Sequence, residues 1–259
     1  MKIRTLQWNI GGGRVCNSDS DPRDPTSYAE DGIESIVGTL KEADADIITL
    51  QETHEGGGSC QPEIIANHLE YKYWLNHATD ISFMDRSKFI GQGVISRFPI
   101  TSSLFSPFTD PGFEVLKDGE LIKNNKSGLT SCTVQLPGGH QVQIKTFHMV
   151  PFHYFDVDLD DVRVRNVLRE VGKRLTLDSE ARAIVQADFN IDSASLTEYL
   201  PDLFAAGYQE VVQSEPTTPR EKSLDHVVYK GVVMDGARVI RDCGTDHFPI
   251  VTDFDLLYG

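Results

Sequence analysis

Short apolar runs alternate with helical patterns along the chain, and "IRTLQWN", residues 3 to 9, and "ADIITLQE", residues 45 to 52, read as strands. A period of two is that of a strand with one face turned to a core. Between these runs Ile33, Ile36, Val37 and Leu40 recur at helical spacing, so the chain opens as strand, helix, strand. A helix led by Pro62 follows through "PEIIANHL". Further runs suited to strands are "GQGVISRFPI" (91 to 100), "SGLTSCTVQL" (127 to 136), "HQVQIKTFHM" (140 to 149), "ARAIVQADFN" (181 to 190), "SLDHVVY" (223 to 229) and "FPIVTDFDL" (248 to 256). The segment "LPGGHQ" joins two of them as a hairpin-like turn. Helical spacing returns at Val164, Val167, Leu168, Val171 and Leu175, and again at Leu196, Tyr199, Leu200 and Leu203. Many strands with few helices predict two packed sheets flanked by helices, an α/β arrangement that is not purely parallel. No linker rich in Pro, Gly or Ser and no internal repeat divides the chain, so one domain over residues 1–259 is expected.

Composition narrows this picture. With 39% apolar residues the chain can bury a full core. No window approaches the ~20 apolar residues of a membrane span. The start "MKIRTLQWNI" reads directly as a strand without an apolar secretory segment, so the cytoplasm is the expected compartment and a monomer the expected state. Cys16, Cys60, Cys132 and Cys243 lack CxxC spacing, which suits reduced thiols better than a disulfide framework or a zinc site, although Cys16 and Cys60 both fall in loops that could meet. The net charge of −15, from 39 acidic and 24 basic residues, disfavours broad electrostatic attraction to nucleic acid. It leaves room for a local cationic site, because a bound divalent metal supplies positive charge that the surface lacks.

Several strand-like runs end in polar residues. In "AIVQADFNID", residues 183 to 192, alternation puts Ile184, Gln186, Asp188 and Asn190 on one face. Aspartate and asparagine are poor strand formers, and a buried carboxylate needs a compensating partner. Asn9, Glu52 and His148 stand at or near the ends of other runs, Asp225 begins one, and Asp246 and His247 precede the last. Taken singly, each has an ordinary structural reading. Asn9 fits a turn before Gly11, Gly12 and Gly13, and no GK[ST] follows to make a P-loop. Glu52 fits a surface acid, Asp225 a turn cap, and His148 with His153 is a pair at no ligand spacing. If the strand ends share one edge, however, carboxylates, amides and imidazoles converge in one cleft.

The ordered set "QWN", "LQE", "DFN", "LDH" and "TDH" resembles the endonuclease/exonuclease/phosphatase superfamily, the metal-dependent phosphoesterases with the DNase I-like fold. The likeness spans Asn9 to His247, with two departures: Ala187 stands where the family usually has Gly, and Thr245 where it often has Ser. The resemblance implies a four-layer α/β sandwich, two mainly antiparallel sheets flanked by helices, with a site at one edge. It implies Mg²⁺ or Mn²⁺ held by Glu52 with Asn9 and Asp246. Asp188, held by Asn190, is similar to the group that orients or deprotonates the attacking water, or that serves the leaving group. Asp225 and His247 resemble the family's carboxylate–imidazole pair, and His148 a second histidine that contacts phosphate or protonates the leaving oxygen. Asn9 and Lys126 are the expected substrate contacts, with a solvated loop lysine as the equal alternative for Lys126, and Arg97 is read as structural.

A phosphoester is the implied substrate, cleaved by metal-assisted water attack. A nuclease or nucleic-acid repair phosphodiesterase is the first reading, with Trp8, Tyr154 and Phe155 as stacking residues. The alternatives are a phosphatase or phospholipase-like enzyme acting on a small phosphorylated molecule or lipid headgroup, and a non-catalytic module. Substrate choice is expected in loops 11 to 30, 54 to 61, 105 to 127 and 148 to 161. Arg165, Arg169 and Lys173 form a row that could guide a polynucleotide, yet Asp158, Asp160 and Asp161 before it also suit a solvated helix with a complemented dipole.

Overall fold

The computed structural model describes residues 1–17, 19–177 and 181–256. The alternating segment at the start forms the strand Lys2–Asn9, with Ile3, Thr5, Gln7 and Asn9 facing the second sheet while Leu6 and Trp8 face outward to helices. The first sheet runs in the order Val233–Val239, Ile250–Asp255, Lys2–Asn9, Ile47–Gly56, Phe89–Ser96, Tyr73–Ile81, with Ser59–Cys60 paired to Ile47–Gly56. The second runs Gln209–Glu210, Asp225–Lys230, Ala183–Asp188, Gln141–Thr146, Gly128–Gln135, Ile100–Pro107.

Each sheet holds one parallel pair in an otherwise antiparallel order: Lys2–Asn9 beside Ile47–Gly56, and Gln141–Thr146 beside Ala183–Asp188. A parallel pair needs a crossover, and the helices Ile33–Ala43 and Val162–Thr176 provide the two. The consequence is functional. The carboxyl ends of parallel neighbours fall on the same edge, so Asn9 and Glu52 meet there from one sheet, and His148 and Asp188 from the other.

Ile3, Ile47, Val94, Ile144, Ile184, Val227 and Phe254 fill the space between the sheets. The helices Ile33–Ala43 and Gln61–Leu69 cover the first sheet; Val162–Thr176 and Pro201–Ala205 cover the second. This is the four-layer sandwich. Lys145, buried on the outer face of its strand, donates from Nζ to the carbonyl of Leu175 at 2.7 Å and so satisfies the end of the crossover helix. Arg97 pairs with Asp44 and Asp46 and lies over the Tyr71 ring, the structural role expected of it.

Among the strands that the pattern did not single out, Tyr73–Ile81, Ile100–Pro107, Gln209–Glu210 and Val233–Val239 are the edges of the two large sheets. An edge strand is half solvated and its alternation is diluted by polar residues on both faces. The expected helix through Leu196 and Leu203 is confined to Pro201–Ala205. Ahead of it, the hydroxyls of Ser193 and Ser195 accept from the nearby Ser195 and Thr197 amides, which competes with helix. All four cysteines are free, so Cys16 and Cys60 do not pair. No helix among the described residues is long and apolar enough to cross a membrane.

Candidate active site

Along the inner face of each strand, residues change from apolar to polar toward one edge: Ile3, Thr5, Gln7, Asn9 in one and Ile184, Gln186, Asp188 in another. Hydrogen bonds, several of them between the sheets, link this buried polar layer, while Gln7 Oε1 and Gln186 Oε1 have no partner among the described residues. Gln7 Nε2 donates to Asp225 Oδ1 and to Gln51 Oε1, both at 2.7 Å, Gln51 Nε2 to Thr146 Oγ1 at 2.7 Å, and Gln186 Nε2 to Thr5 Oγ1 at 3.0 Å. Paired in this way, the layer fixes the separation of the sheets under the site.

Glu52 reaches the site through a defect in its strand. The ladder between Ile47–Gly56 and Phe89–Ser96 shifts register between Gln51 and Thr53, and Glu52 adopts the left-handed backbone with φ 53°. Alternation alone would send Glu52 outward with Ile48 and Leu50 into the helix-covered core. The bulge turns it inward instead. A non-glycine residue in that region is strained, and such strain persists where surrounding structure enforces it.

Asn9 bridges the two halves. Its Nδ2 donates to Glu52 Oε1 and to Asp188 Oδ2, both at 3.0 Å, while its Oδ1 accepts from the Gly11 amide at 3.1 Å. Asp188, only 1% exposed, also accepts from the backbone amide of Asn190 at 2.9 Å. Asn190 leaves the strand with φ 50° and anchors its own side chain on the Met149 carbonyl at 2.9 Å. His148 Nε2 stands 3.5 Å from Glu52 Oε1 and 3.6 Å from Asp188 Oδ2. His247 directs Nδ1 to Asp225 Oδ2 at 2.7 Å, which leaves Nε2 facing Asp188 Oδ2 at 3.7 Å. Asp188 Oδ2 is therefore the point on which Asn9, His148 and His247 converge.

Asp246 lines the same cleft, and its Oδ1 lies so near Gly11 that a Cβ there would stand 3.0 Å away. With φ 52°, Gly11 is the residue that permits this approach. Among the described residues the Asp246 carboxylate has no hydrogen-bond or ion-pair partner. Lys126 is exposed at the cleft wall, held through its backbone amide by Asp80 Oδ2 at 2.8 Å.

The electrostatics follow from this crowding. Burial pushes the Asp188 carboxyl up, and the neighbouring Asp225 adds to it against the pull of His247 and His148. Burial also raises Glu52, where His148 opposes the shift and Asp246 adds to it. For His247, burial resists the charge, but Asp225 and Asp188 together hold the imidazole well above its ordinary value.

The sequence-selected residues Asn9, Glu52, His148, Asp188, Asn190, Asp225, Asp246 and His247 thus come together at one edge, with Lys126 on the wall. Trp8 does not belong to the cleft: it is fully buried, and its Nε1 donates to Thr245 Oγ1 at 3.0 Å and the His247 carbonyl at 2.9 Å. It holds the Thr245–His247 turn and cannot stack on a substrate. Tyr154 and Phe155 do line the cleft. The expected loops 11 to 30 and 54 to 61 contribute no described lining residue, whereas Thr218, Arg220 and Lys222 do. The signal for that segment was present: two basic residues within five positions of Asp225 in an acidic chain.

A sequence model of the Endonuclease/Exonuclease/phosphatase family matches residues 6–247. No curated protein matches the chain. Among solved structures, an endonuclease/exonuclease/phosphatase from Beutenbergia cavernae DSM 12333 superposes with a TM-score of 0.76 at 16% identity, over 98% of this chain and 72% of the other. A mannosyl-6-phosphatase from Bacteroides thetaiotaomicron VPI-5482 gives 0.60 at 15% identity, over 97% and 99%. A 3′ phosphatase from Neisseria, bound to a product DNA hairpin, gives 0.59 at 14% identity, over 98% and 99%. At these identities the likeness is one of fold.

Proposed function

The chain belongs to the endonuclease/exonuclease/phosphatase family, and from that premise we propose that it hydrolyses a phosphate ester with a divalent cation, Mg²⁺ or Mn²⁺. The observation that carries this reading is the convergence on Asp188 Oδ2 of Asn9, His148 and His247 beside the bulged Glu52.

The donor set fits such a cation. Glu52, Asp188 and Asp246 crowd one cleft, Asp246 lacks a partner among the described residues, no cysteine lines the cleft, and the carboxylates offer oxygens, which hard cations prefer. Asp188, Asp225 and His247 also bring ligand atoms within 4.8 Å of one another. Both Asp225 oxygens and His247 Nδ1 are already committed to hydrogen bonds, so Glu52 and Asp246 are the better ligands, with Asn9 orienting Glu52 through its amide nitrogen. When bound, the ion neutralises phosphoryl oxygens and stabilises charge developing in the transition state.

The remaining chemistry belongs to side chains. Asp188, fixed by the amides of Asn9 and Asn190, orients the attacking water and takes its proton. Asp225 holds His247 in the tautomer with Nδ1–H bound, leaving a charged Nε2–H for a phosphoryl oxygen. His148, between Glu52 and Asp188 at 3.5 and 3.6 Å, serves a phosphoryl or leaving oxygen. Because His247 is held well above its ordinary value by Asp225 and Asp188, kcat/KM is expected to persist past neutral pH and to decline only in the alkaline range. Asp225→Asn should move that decline toward acid by about one pH unit or more, read from a pH profile; an unmoved profile removes Asp225 from this role.

The cleft favours a small phosphorylated substrate over a polynucleotide. Its volume is about 320 Å³, in the range of small-molecule sites. The row that a nucleic acid would follow lies on the outer helix Val162–Thr176 and lines no part of the cleft. Arg165 is tied to the Asp160 carbonyl at 2.6 Å and Arg169 to Asn166 Oδ1 at 2.8 Å. Arg165→Glu with Arg169→Glu is therefore expected to leave oligonucleotide binding and its salt slope unchanged. A slope lowered by about one per lost contact would restore the nuclease reading.

A further inference from the structure

The segment before Asp225 is rigid and basic. The Lys222 carbonyl accepts from the Thr217 amide at 2.8 Å, and the Lys222 amide donates to Thr218 Oγ1 at 3.1 Å, which closes the turn on itself. Thr217 Oγ1 accepts from the amides of Leu224 and Asp225 at 3.0 and 3.2 Å, and the Thr217 carbonyl accepts from Phe248 at 2.6 Å. The turn is thereby fixed to the strand carrying Asp225 and to the residue after His247. Its place relative to the reactive groups is set before any ligand binds.

Arg220 and Lys222 project from this turn and line the cleft. The acid between them, Glu221, is directed to Arg241 at 2.7 Å and neutralises neither. Arg220 forms no ion pair among the described residues, and Lys222 has a long contact of 3.9 Å with Asp192, both side chains being well solvated. His153 also lines the cleft, where burial first, and then the charges of Lys222, Arg220 and Lys117, hold its imidazole below the ordinary value and so as a neutral hydrogen-bonding group. Cations gathered on a fixed turn repel one another, and this turn gathers two in a protein whose net charge is −15. Arg220, without an ion-pair partner among the described residues, beside Lys222, held only by a long contact to Asp192, points to an anionic ligand group.

We infer that Arg220, Lys222 and His153 form a subsite for a second anionic group, so that the substrate is a small phosphoester carrying a further phosphate or carboxylate. The inference rests on the phosphoester reading and adds the substrate class. Bidentate donation from a guanidinium beside an ammonium suits a phosphate or carboxylate oxygen pair. A long polyanion suits the site less, because the chain as a whole carries a net charge of −15.

The test compares matched esters with Mg²⁺: fructose 6-phosphate with fructose 1,6-bisphosphate, adenosine 5′-phosphate with adenosine 3′,5′-bisphosphate, and a thymidine tetranucleotide. In at least one pair the wild type should prefer the bisphosphate in kcat/KM, and Arg220→Ala with Lys222→Ala should lower that ratio about 10- to 100-fold, mainly through KM. Arg220→Lys should retain part of the preference. A ratio equal in wild type and variant, with both folded by thermal melting, overturns the inference; a preference confined to the tetranucleotide overturns the small-molecule assignment. If the wild type cleaves none of these esters, the phosphoesterase reading itself fails. Calorimetric binding of the two bisphosphates to wild type and variant then decides the subsite alone, and equal affinities refute it.

Discussion

Asp188→Ala is expected to lower kcat for phosphoester hydrolysis by about 10³-fold, the usual scale for losing a positioned general base, with the fold retained. The magnitude follows from how thoroughly the carboxylate is fixed. One oxygen accepts from the Asn190 amide and the other from Asn9, and His148 and His247 flank the second. The neighbouring carboxylates have other tasks, Glu52 engaged by Asn9, Asp225 by Gln7 and His247, and Asp246 assigned with Glu52 to the cation. The fold should survive because burial and Asp225 already disfavour the charge on Asp188, so removing it relieves an electrostatic cost while losing two hydrogen bonds. Steady-state kinetics with Mg²⁺, beside a melting curve, separates the two effects. Turnover within a few-fold of wild type in a folded variant would remove Asp188 from the reaction.

The site was legible to the extent that it follows alternation. Ile3, Thr5, Gln7 and Asn9 lie on one face because a strand repeats every two residues, and the drift from apolar to polar along that face marks the edge where the cleft lies. Glu52 was legible by its motif and not by its geometry, since alternation assigns it to the wrong face and only the bulge corrects this. Edge strands were missed because solvent on both faces dilutes their pattern. Arg220 and Lys222 were missed for another reason. Their meaning comes from where the turn is held, and the bonds that hold it join Thr217 to Phe248, far along the chain. Trp8 was misread because an aromatic beside a site residue on a strand faces away from it.

Removal of divalent metal is expected to abolish activity and to lower thermal stability, and the stability loss should grow with pH. Glu52 and Asp188 are both raised by burial, so their contribution to folding is fully present below the unfolded carboxylate value of about 4 and is lost as pH rises through their folded values. His247 is raised as well, through Asp225 and Asp188, and its contribution is present below about 6.5 and lost above that as pH climbs through its folded value. The signs agree, so metal-free protein weakens from acid toward neutral and alkaline pH. A cation held by Glu52 and Asp246 offsets the carboxylate repulsion and binds the folded state alone. At about 100 times its dissociation constant it adds about 2.7 kcal/mol, a rise in Tm on the order of 5 °C for a chain of this size. That rise should be small near pH 5 and larger near pH 8. Glu52→Gln keeps an oxygen for the Asn9 amide but removes the charge; it should melt higher than wild type in EDTA, lose the Mg²⁺-dependent rise, and lose activity together with it. Full activity in verified metal-free protein, or an unchanged Mg²⁺-dependent rise in Glu52→Gln, would overturn the metal assignment.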